Sequence, residues 1–416
     1  MKIAYFDYWT KGIHHFKPID VELKKLGHET VLLHIGSFRA PCGKEEVIEG
    51  IRCRDVRHYG TDLIFKMLEI EKPEVVITLN NQFLVDRTVV LSCRKLNIKT
   101  AFMNHGIINV GSSMKEVIEL SERSFGTFRV RAGRALKNIR RVIPNYLYAL
   151  ARYDAKLLLN MKFIKVILSY LISPGRSIYY PKHPEELVHD KTLIYCNNDI
   201  AYYKDAGCGG ESIVVVGNPK HTGLLENIRG NKFTVEMLPP EVRELVREGR
   251  RYALMLEGSY PELQNYGGIT NQYRNEYIRT VAERLEREDI TLVVKLHPGT
   301  IRENVDVDHP NAVICGKNLD ELINFSYFCI SHLSTAVNSC VLLDKPVLHP
   351  YWGKFKGIET YFADLGIANL WLDIDDELNI GMNREARKKY IDEYITVTQP
   401  VAVQNIVREV LALSPK

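Results

Sequence analysis

Short apolar runs alternate with helix-length amphipathic segments along nearly the whole chain. Because a strand followed by a helix brings the chain back to begin a parallel neighbour, this alternation predicts βα units and an α/β protein with parallel sheets. The first series of predicted strands comprises Ile3–Phe6, Thr30–Leu33, Val75–Thr78, Thr100–Met103, Thr192–Tyr195 and Ser212–Val216. The second series comprises Tyr252–Leu256, Leu292–Leu296, Ala312–Cys315, Phe328–Ser331 and Pro346–His349.

A charged, proline-containing stretch separates the two series of strands. It covers about residues 219–250 and contains Pro239-Pro240 followed by the charged helix Glu241–Arg251. At 416 residues the chain is long enough for more than one hydrophobic core. We therefore predict an N-terminal domain over residues 1–218, a C-terminal domain over 219–385 and a charged helical tail over 386–416.

The overall charge and the cysteines narrow the possible classes of function. A formal net charge of +4 on 416 residues is too weak to predict a nucleic-acid partner. The eight cysteines are scattered without a Cys-x-x-Cys pair, which is typical of buried thiols in a reducing compartment. The N-terminus lacks a signal-peptide pattern, and no apolar stretch approaches the roughly 20 residues of a membrane span. We therefore expect a cytoplasmic protein without a transmembrane segment.

Residues 128–172 depart from the βα rhythm and form a strongly basic insertion in the N-terminal domain. Their only acidic residue is Asp154, whereas their basic residues are Arg129, Arg131, Arg134, Lys137, Arg140, Arg141, Arg152, Lys156, Lys162 and Lys165. Apolar residues recur at helical spacing, so we expect a basic amphipathic hairpin broken near Pro144. Two interpretations stay open. The hairpin either lies peripherally on an anionic membrane that carries a lipid-linked acceptor, or it packs on the N-terminal domain with a solvated basic face. The residues for membrane contact would be Arg140, Arg141, Lys162 and Lys165.

Two histidines follow predicted strands of the N-terminal half. His15 follows the first strand and His105 follows the fourth. Open parallel sheets bind ligands at the carboxyl ends of their strands, where a neutral histidine is suited to accept a proton from an acceptor hydroxyl. Either histidine is a candidate base, and His105 is also a candidate acceptor-binding group. The alternative is that each only hydrogen-bonds its own loop. If neither is the base, the carboxylates of Glu257 and Asp55 are the next candidates.

The C-terminal half carries three polar motifs, each at the end of a predicted strand. They are Glu257-Gly258-Ser259, Lys295-Leu296-His297-Pro298 and Ser334-Thr335. Backbone N–H groups of a glycine-containing turn suit a diphosphate, and a second such turn follows at Gly267-Gly268. Lys295 and His297 share one face of an extended segment, and the imidazole at the strand end can donate a hydrogen bond to a leaving phosphate. The Ser-Thr pair either presents hydroxyls and amides to the same phosphate or only caps the next helix.

These motifs resemble those of GT-B glycosyltransferases, which consist of two Rossmann-like domains with parallel sheets facing across a cleft. The first loop, with Gly12, His15 and Pro18 before a helix, is similar to the start of these enzymes. This resemblance puts His15 on the acceptor side. Lys-x-His-Pro followed by Ser-Thr resembles bacterial surface-polysaccharide transferases, namely sialyl- and polysialyltransferases, Kdo transferases and CDP-glycerol polyol-phosphate transferases. Their His-Pro histidine and Ser/Thr pair hold the nucleotide phosphate. The corresponding residues here are His297, Ser334 and Thr335.

The resemblance also implies a donor and a mechanism. Asn338 stands where UDP-sugar transferases carry a ribose-binding glutamate, and Leu256-Glu257-Gly258 partly resembles the base-binding motif of the cytidine families. The implied donor is a sugar linked to CMP, CDP or UDP, and the acceptor is a cell-surface glycan or a lipid-linked molecule. We expect direct displacement with inversion. Neither a cofactor nor a metal is expected, because helix dipoles and side chains offset charge on the leaving phosphate. The sequence has no His-Glu-x-x-His motif and no His/Cys cluster at zinc spacing.

Three other functions remain open at this point. A polyol-phosphate transferase would share the fold and the His-Pro histidine but would attack phosphorus. A UDP-sugar 2-epimerase would share the two-domain layout, but it needs several carboxylates in the cleft and no acceptor surface. A non-catalytic binding protein would not respond to nucleotides.

Overall fold

The structure, a computed structural model, describes most of the chain and divides it into two compact units. The described residues are 1–81, 83–104, 140–172, 184–205, 207–263, 269–332, 334–356 and 359–414. The first unit combines Met1–Thr222 with Val401–Lys416, and the second unit is Gly223–Pro400. The last segment of the chain therefore belongs to the unit that contains its beginning.

The strands of the described residues form one sheet in each unit. The first sheet has the order β3-β4-β2-β1-β5-β6-β7-β8, and the second has the order β11-β10-β9-β12-β13-β14. The strands of the first sheet are β1 Lys2–Asp7, β2 Glu29–His34, β3 Glu45–Ile48, β4 Ile51–Asp55, β5 Val75–Thr78, β6 Lys99–Met103, β7 Lys191–Ile194 and β8 Ile213–Val215. Those of the second are β9 Arg251–Leu256, β10 Ile290–Lys295, β11 Ala312–Cys315, β12 Phe328–Ser331, β13 Val347–Pro350 and β14 Asn369–Trp371.

Helices connect these strands, as expected for parallel pairing. In chain order they are α1 Ile13–Lys25, α2 Ile64–Glu71, α3 Leu84–Lys95, α4 Val142–Asp154, α5 Met161–Ile172, α6 Asp199–Asp205, α7 His221–Arg229, α8 Pro240–Arg247, α9 Tyr260–Leu263, α10 Asn271–Glu286, α11 Leu319–Phe325, α12 Val337–Leu342, α13 Tyr361–Asp364, α14 Arg384–Tyr390 and α15 Ala402–Leu411. Among the described residues, none of these helices is both long and apolar enough to cross a membrane.

In the first unit, the central strands are buried on both faces of the sheet. One face shares a hydrophobic cluster with α2, α3, α4 and α5, and the other shares one with α1 and α15. Val403, Ile406 and Val410 of α15 join the same cluster as Phe16 and Ile19 of α1. The sequence set residues 386–416 apart as a tail, yet α15 covers apolar surface of the first sheet, because α15 also has an apolar face that has to be buried.

Parallel pairing in the second unit brings the ends of three strands to one level. In the register of the sheet, Leu256 of β9 lies opposite Lys295 of β10 and Ser331 of β12. All strand pairs of this sheet are parallel. The loops after β9, β10 and β12 therefore begin side by side at one edge of the sheet.

The predicted α/β class with two parallel, Rossmann-like sheets is confirmed, with three local differences. The antiparallel edge hairpin β3–β4 and the edge strand β14 were not predicted. The predicted break at Pro144 was wrong, because Pro144 lies in the first turn of α4. A proline is tolerated in that turn since its missing N–H would have no intrahelical acceptor. The connection between α4 and α5 lies at residues 155–160 instead.

Candidate functional site

The strongest candidate site is the carboxyl edge of the second sheet, with Glu257 at its centre. The Glu257 carboxylate accepts hydrogen bonds from the backbone N–H of Ser259 at 2.8 Å and of His297 at 3.3 Å. It also accepts one from the Thr300 hydroxyl at 2.5 Å. These contacts join the loop after β9 to the loop after β10. Glu257 is buried, and the geometry suits a residue that positions the two loops.

A buried arginine completes this network. The hydroxyl of Thr270 caps α10, which fixes the first turn of the helix and the position of Arg274. Nη1 of Arg274 lies 2.9 Å from Glu262 Oε1 and 3.6 Å from Glu257 Oε1, and the Arg274 side chain is 3% exposed. Burial raises the pKa of Glu262, but the hydrogen bonds and charge of Arg274, together with hydrogen bonds from backbone N–H groups, outweigh burial and lower that pKa below its usual range. The edge is thus built on one buried cation between two carboxylates.

His297 is the exposed group that this network holds in place. Its Nδ1 accepts a hydrogen bond from the backbone N–H of Gly299 at 3.0 Å. Because a backbone N–H can only donate, the proton of the neutral ring is on Nε2, which makes Nε2 a donor. A Cβ at Gly299 would lie 3.2 Å from His297 Nδ1 and 3.4 Å from Ser259 Oγ, so the turn and both side chains are packed closely.

The two residues flanking His297 contribute less directly. Pro298 is exposed in the turn that follows β10. Lys295 is half-buried, and its Nζ donates to the carbonyl of Leu296 at 2.7 Å. Burial lowers the pKa of Lys295. The ammonium group therefore lies against the loop backbone and adds positive charge to the edge.

The three residues predicted after β12, namely Ser334, Thr335 and Asn338, lie in different surroundings. Ser334 Oγ accepts a hydrogen bond from the N–H of Ala336 at 3.2 Å within the turn that precedes α12. The N-cap residue of α12 is Ala336 and no side chain caps the helix, so capping by the Ser-Thr pair is not observed. Thr335 is exposed. Asn338 is buried, and its Oδ1 accepts a hydrogen bond from the Tyr390 hydroxyl at 2.7 Å, inside the core of the unit. Ser334 and Thr335 lie in the loop at the sheet edge, whereas Asn338 does not join them.

Gly258 lies between the two polar residues of the β9 loop for a steric reason. A Cβ at Gly258 would lie 2.4 to 2.7 Å from atoms of the Tyr260 ring. Ser259, the next residue, has a φ of 55°, in the left-handed region, and is fully buried. The loop is therefore held in a tight conformation beside His297.

In the first unit, the end of β1 and the start of α1 carry a carboxylate that sequence reasoning missed and His15. The helix begins at Ile13, so His15 and Pro18 lie in α1 and not in the loop before it. Asp7 accepts hydrogen bonds from the N–H of Tyr8 at 2.7 Å and of Gly12 at 3.1 Å. Burial, with a smaller contribution from Asp86, raises the pKa of Asp7 to about 6. His15 is buried at the third position of α1, and its ring centroid lies 4.0 Å from that of exposed His14. The signal that could have identified Asp7 was an acidic residue directly after an apolar strand.

Three predicted residues lie outside the described part of the chain, namely His105, Gly267 and Gly268. Asn104, which precedes His105, is described, and its Nδ2 donates to Asp199 Oδ2 at 3.0 Å. Burial raises the pKa of Asp199 to about 7. A buried carboxyl group thus lies at the ends of β6 and β7, where we predicted only an asparagine and a histidine from the sequence.

The basic segment packs on the first unit and keeps an exposed face. Residues 128–139 lie outside the described residues. Arg140 is exposed, whereas Arg141 donates to the Ser37 carbonyl at 2.7 Å and lies over the Phe38 ring. On α5, Lys162 and Lys165 are exposed beside the exposed apolar residues Met161 and Leu168. Packing on the unit therefore coexists with a basic and apolar surface.

Comparison with known proteins shows which class of fold this chain has. No protein-family profile matches the chain, and no curated protein sequence matches it. The solved structure of the wall teichoic acid polymerase TagF is 12% identical, with a TM-score of 0.56, over 99% of this chain and 88% of that chain. The chain thus has a GT-B-like fold, an α/β architecture with two parallel-sheet Rossmann-like domains.

Two further solved structures match along nearly the whole chain. UDP-GlcNAc 2-epimerase from Methanocaldococcus jannaschii is 14% identical, with a TM-score of 0.48, over 99% of this chain and 100% of that chain. The calicheamicin glycosyltransferase CalG4 is 13% identical, with a TM-score of 0.46, over 99% of this chain and 94% of that chain.

Proposed function

We propose that this chain is a glycosyltransferase that takes a sugar from a nucleotide-activated donor linked to CMP, CDP or UDP. The observation that carries the proposal is the exposed His297, whose Nε2–H is held as a donor at the carboxyl edge of the second sheet. This edge is the place where open α/β sheets bind ligands. The acceptor is a cell-surface glycan or a lipid-linked molecule.

The proposed chemistry of the edge is stabilisation of a leaving phosphate. His297 donates from Nε2 to a phosphate oxygen, and exposed Thr335 adds a hydroxyl. The ammonium group of Lys295 adds positive charge. As the bond between the sugar and the phosphate breaks, charge grows on the phosphate, and fixed donors stabilise it without reorganising. The reaction is a single displacement with inversion and requires no metal.

The first unit supplies the acceptor side in this proposal. His15 accepts the proton of the acceptor hydroxyl, and the turn that leads into its helix is fixed by the hydrogen bond from the N–H of Gly12 to Asp7. The exposed Lys162 and Lys165, beside apolar residues of α5, hold the protein at an anionic membrane where a lipid-linked acceptor is found.

Transfer of a polyol phosphate is the second candidate reaction. It is favoured by the fold likeness to the wall teichoic acid polymerase. The same histidine would then stabilise the leaving nucleotide, but the acceptor would attack phosphorus instead of carbon. Analysis of the products separates the two reactions. Sugar transfer leaves every phosphate on the nucleotide, whereas polyol-phosphate transfer removes one.

The test begins with a thermal-shift screen against CMP, CDP, UDP, GDP and dTDP, followed by calorimetric titration of the best ligand. A hydrogen bond to a charged group contributes about 1.5 to 3 kcal/mol, so His297→Ala should weaken nucleotide binding roughly 10- to 150-fold. His309→Ala is the matched control. His309 makes the same local contact, from Asn311 N to its Nδ1 at 3.1 Å, but it precedes β11 at the other end of the sheet. Equal affinity of the two variants would refute the assignment of His297.

A further inference from the structure

Three metal-ligating side chains meet at the carboxyl edge of the first sheet, beside the end of β1. They are His34 at the end of β2, Cys42 in the loop that follows, and Asp55 at the end of β4. His34 and Asp55 lie opposite each other in the register of these two strands. One ligand atom from each of the three lies within 4.8 Å of the other two.

The distances within this group match those of a tetrahedral site. His34 Nδ1 lies 3.4 Å from Asp55 Oδ2, and Cys42 Sγ lies 3.5 Å from the same oxygen. With bonds of about 2.0 to 2.3 Å to a tetrahedral zinc ion, neighbouring ligand atoms are separated by roughly 3.3 to 3.7 Å. Two of the three ligand pairs therefore already have the required separation.

The surroundings hold the ligands in place and leave one side open. The side chains of His34 and Asp55 are 2% and 1% exposed, whereas Cys42 is exposed. The backbone N–H groups of Ser37 and Arg57 donate to Asp55, each at 3.0 Å, which fixes the carboxylate as hydrogen bonds to ligands do in metal sites. The exposed side of Cys42 provides an entry path and room for a water ligand.

Two features of the surroundings work against metal binding. The N–H of Gly36 donates to His34 Nδ1 at 3.2 Å, and a metal would replace this bond. Burial and the neighbouring Asp55 carboxylate raise the pKa of the Cys42 thiol to about 11, with Arg57 acting in the opposite direction, so a metal would have to displace the thiol proton. The thiol proton leaves to solvent when the sulfur binds metal.

We propose that His34, Cys42 and Asp55 bind a borderline divalent cation, with zinc as the best match to nitrogen, sulfur and oxygen ligands and water as the fourth ligand. This site lies within the first unit, and the proposal does not rest on the transferase reaction. Its metal would bind whether or not nucleotides bind.

Cobalt(II) tests the proposal, because cobalt bound to a thiolate absorbs strongly in the near ultraviolet and a tetrahedral ion absorbs in the visible. The full-length protein, without an affinity tag, is reduced, freed of metal and titrated with cobalt. We expect one cobalt ion per chain, a thiolate band, and loss of the band when zinc is added. Cys42→Ser should remove the thiolate band and weaken cobalt binding roughly tenfold or more.

Two controls keep the result interpretable. His58→Gln changes a nearby histidine outside the group and should leave the spectrum unchanged. The other seven cysteines are buried, so they should not contribute a band in the folded protein. Because Cys42 is exposed, the metal-free Cys42→Ser variant should melt at the temperature of the metal-free parent protein. A thiolate band that persists in Cys42→Ser, or cobalt affinity that is the same in both proteins, would overturn the proposal.

Discussion

Replacement of Arg274 should destabilise the second unit more than almost any other single change at its sheet edge. Its guanidinium bonds Glu262 at 2.9 and 3.1 Å and the Asn304 carbonyl at 3.0 Å, and it lies 3.6 Å from Glu257. Arg274→Met preserves the bulk of the side chain but leaves two carboxylates without their buried cation. Breaking a buried ion pair in this way costs about 3 to 5 kcal/mol, a large part of a typical unfolding free energy of about 5 to 15 kcal/mol.

Tryptophan fluorescence can report this unit alone. The chain has three tryptophans, of which Trp352 and Trp371 lie in the second unit with ring centroids 5.8 Å apart. Trp9 is the remaining one and is partly exposed in the first unit. In a Trp9→Phe background, denaturant titration followed by fluorescence therefore gives the free energy of unfolding of the second unit, as long as that transition is two-state.

A second substitution tests the cause of the loss. Glu262→Gln in the Arg274→Met background removes one uncompensated charge, while Glu257 keeps its bonds from Ser259 and Thr300. The double variant should be more stable than Arg274→Met, with a coupling energy in the range of about 0.5 to 3 kcal/mol found for residues in contact. A loss below about 1 kcal/mol in the single variant, or no recovery in the double variant, would refute the role assigned to Arg274.

Three other predictions concern the first unit. His15→Ala should lower turnover with the identified donor roughly 10²- to 10⁴-fold and remove the acidic limb of the pH–rate profile. The control variant His14→Ala should keep that limb. If His15→Ala also keeps the limb, His15 is not the base. The raised pKa of Asp199, about 7, means that the folded state holds this proton more tightly than the unfolded state. The resulting stability is present below about pH 4 and is lost as the pH rises through 7. Asp199→Asn should therefore flatten the fall in melting temperature between pH 5 and pH 8, and an unchanged fall would contradict the assignment. Finally, the protein should bind anionic liposomes at low salt and leave them at high salt, and Lys162→Glu with Lys165→Glu should abolish that binding.

Most strands could be predicted because their signal is local. A buried parallel strand is a short apolar run, and the residues of β1, β5, β9 and β12 show this directly. The missed strands lack that signal. Glu45–Ile48, at the sheet edge, and its neighbour Ile51–Asp55 carry several charged residues, and the edge strand Asn369–Trp371 has only three residues. Edge strands are half solvated, so their sequences resemble those of loops.

The candidate site was predictable only in part. His297 and Glu257 were identified because polar residues directly after an apolar strand lie at the ligand-binding edge of a parallel sheet. The partners that hold them were not identified, because Arg274 comes from a helix and Thr300 from a turn, with no local pattern that marks them. Asn338 shows the converse, since its position in a motif did not reveal that Tyr390 binds it in the core.

The sequence by itself determined the class of fold, the two series of strands and the loops that could carry chemistry, because burial along a strand or helix leaves a periodic trace in neighbouring residues. Only the tertiary structure decided which of those loops share hydrogen bonds, and it also placed α15 on the first unit. The group of His34, Cys42 and Asp55 illustrates the reason. Its members are separated by up to 21 residues (55 − 34 = 21) and meet because β2 pairs with β4 in one particular register. Strand register is fixed by the packing of whole faces against a core, so no short segment encodes it.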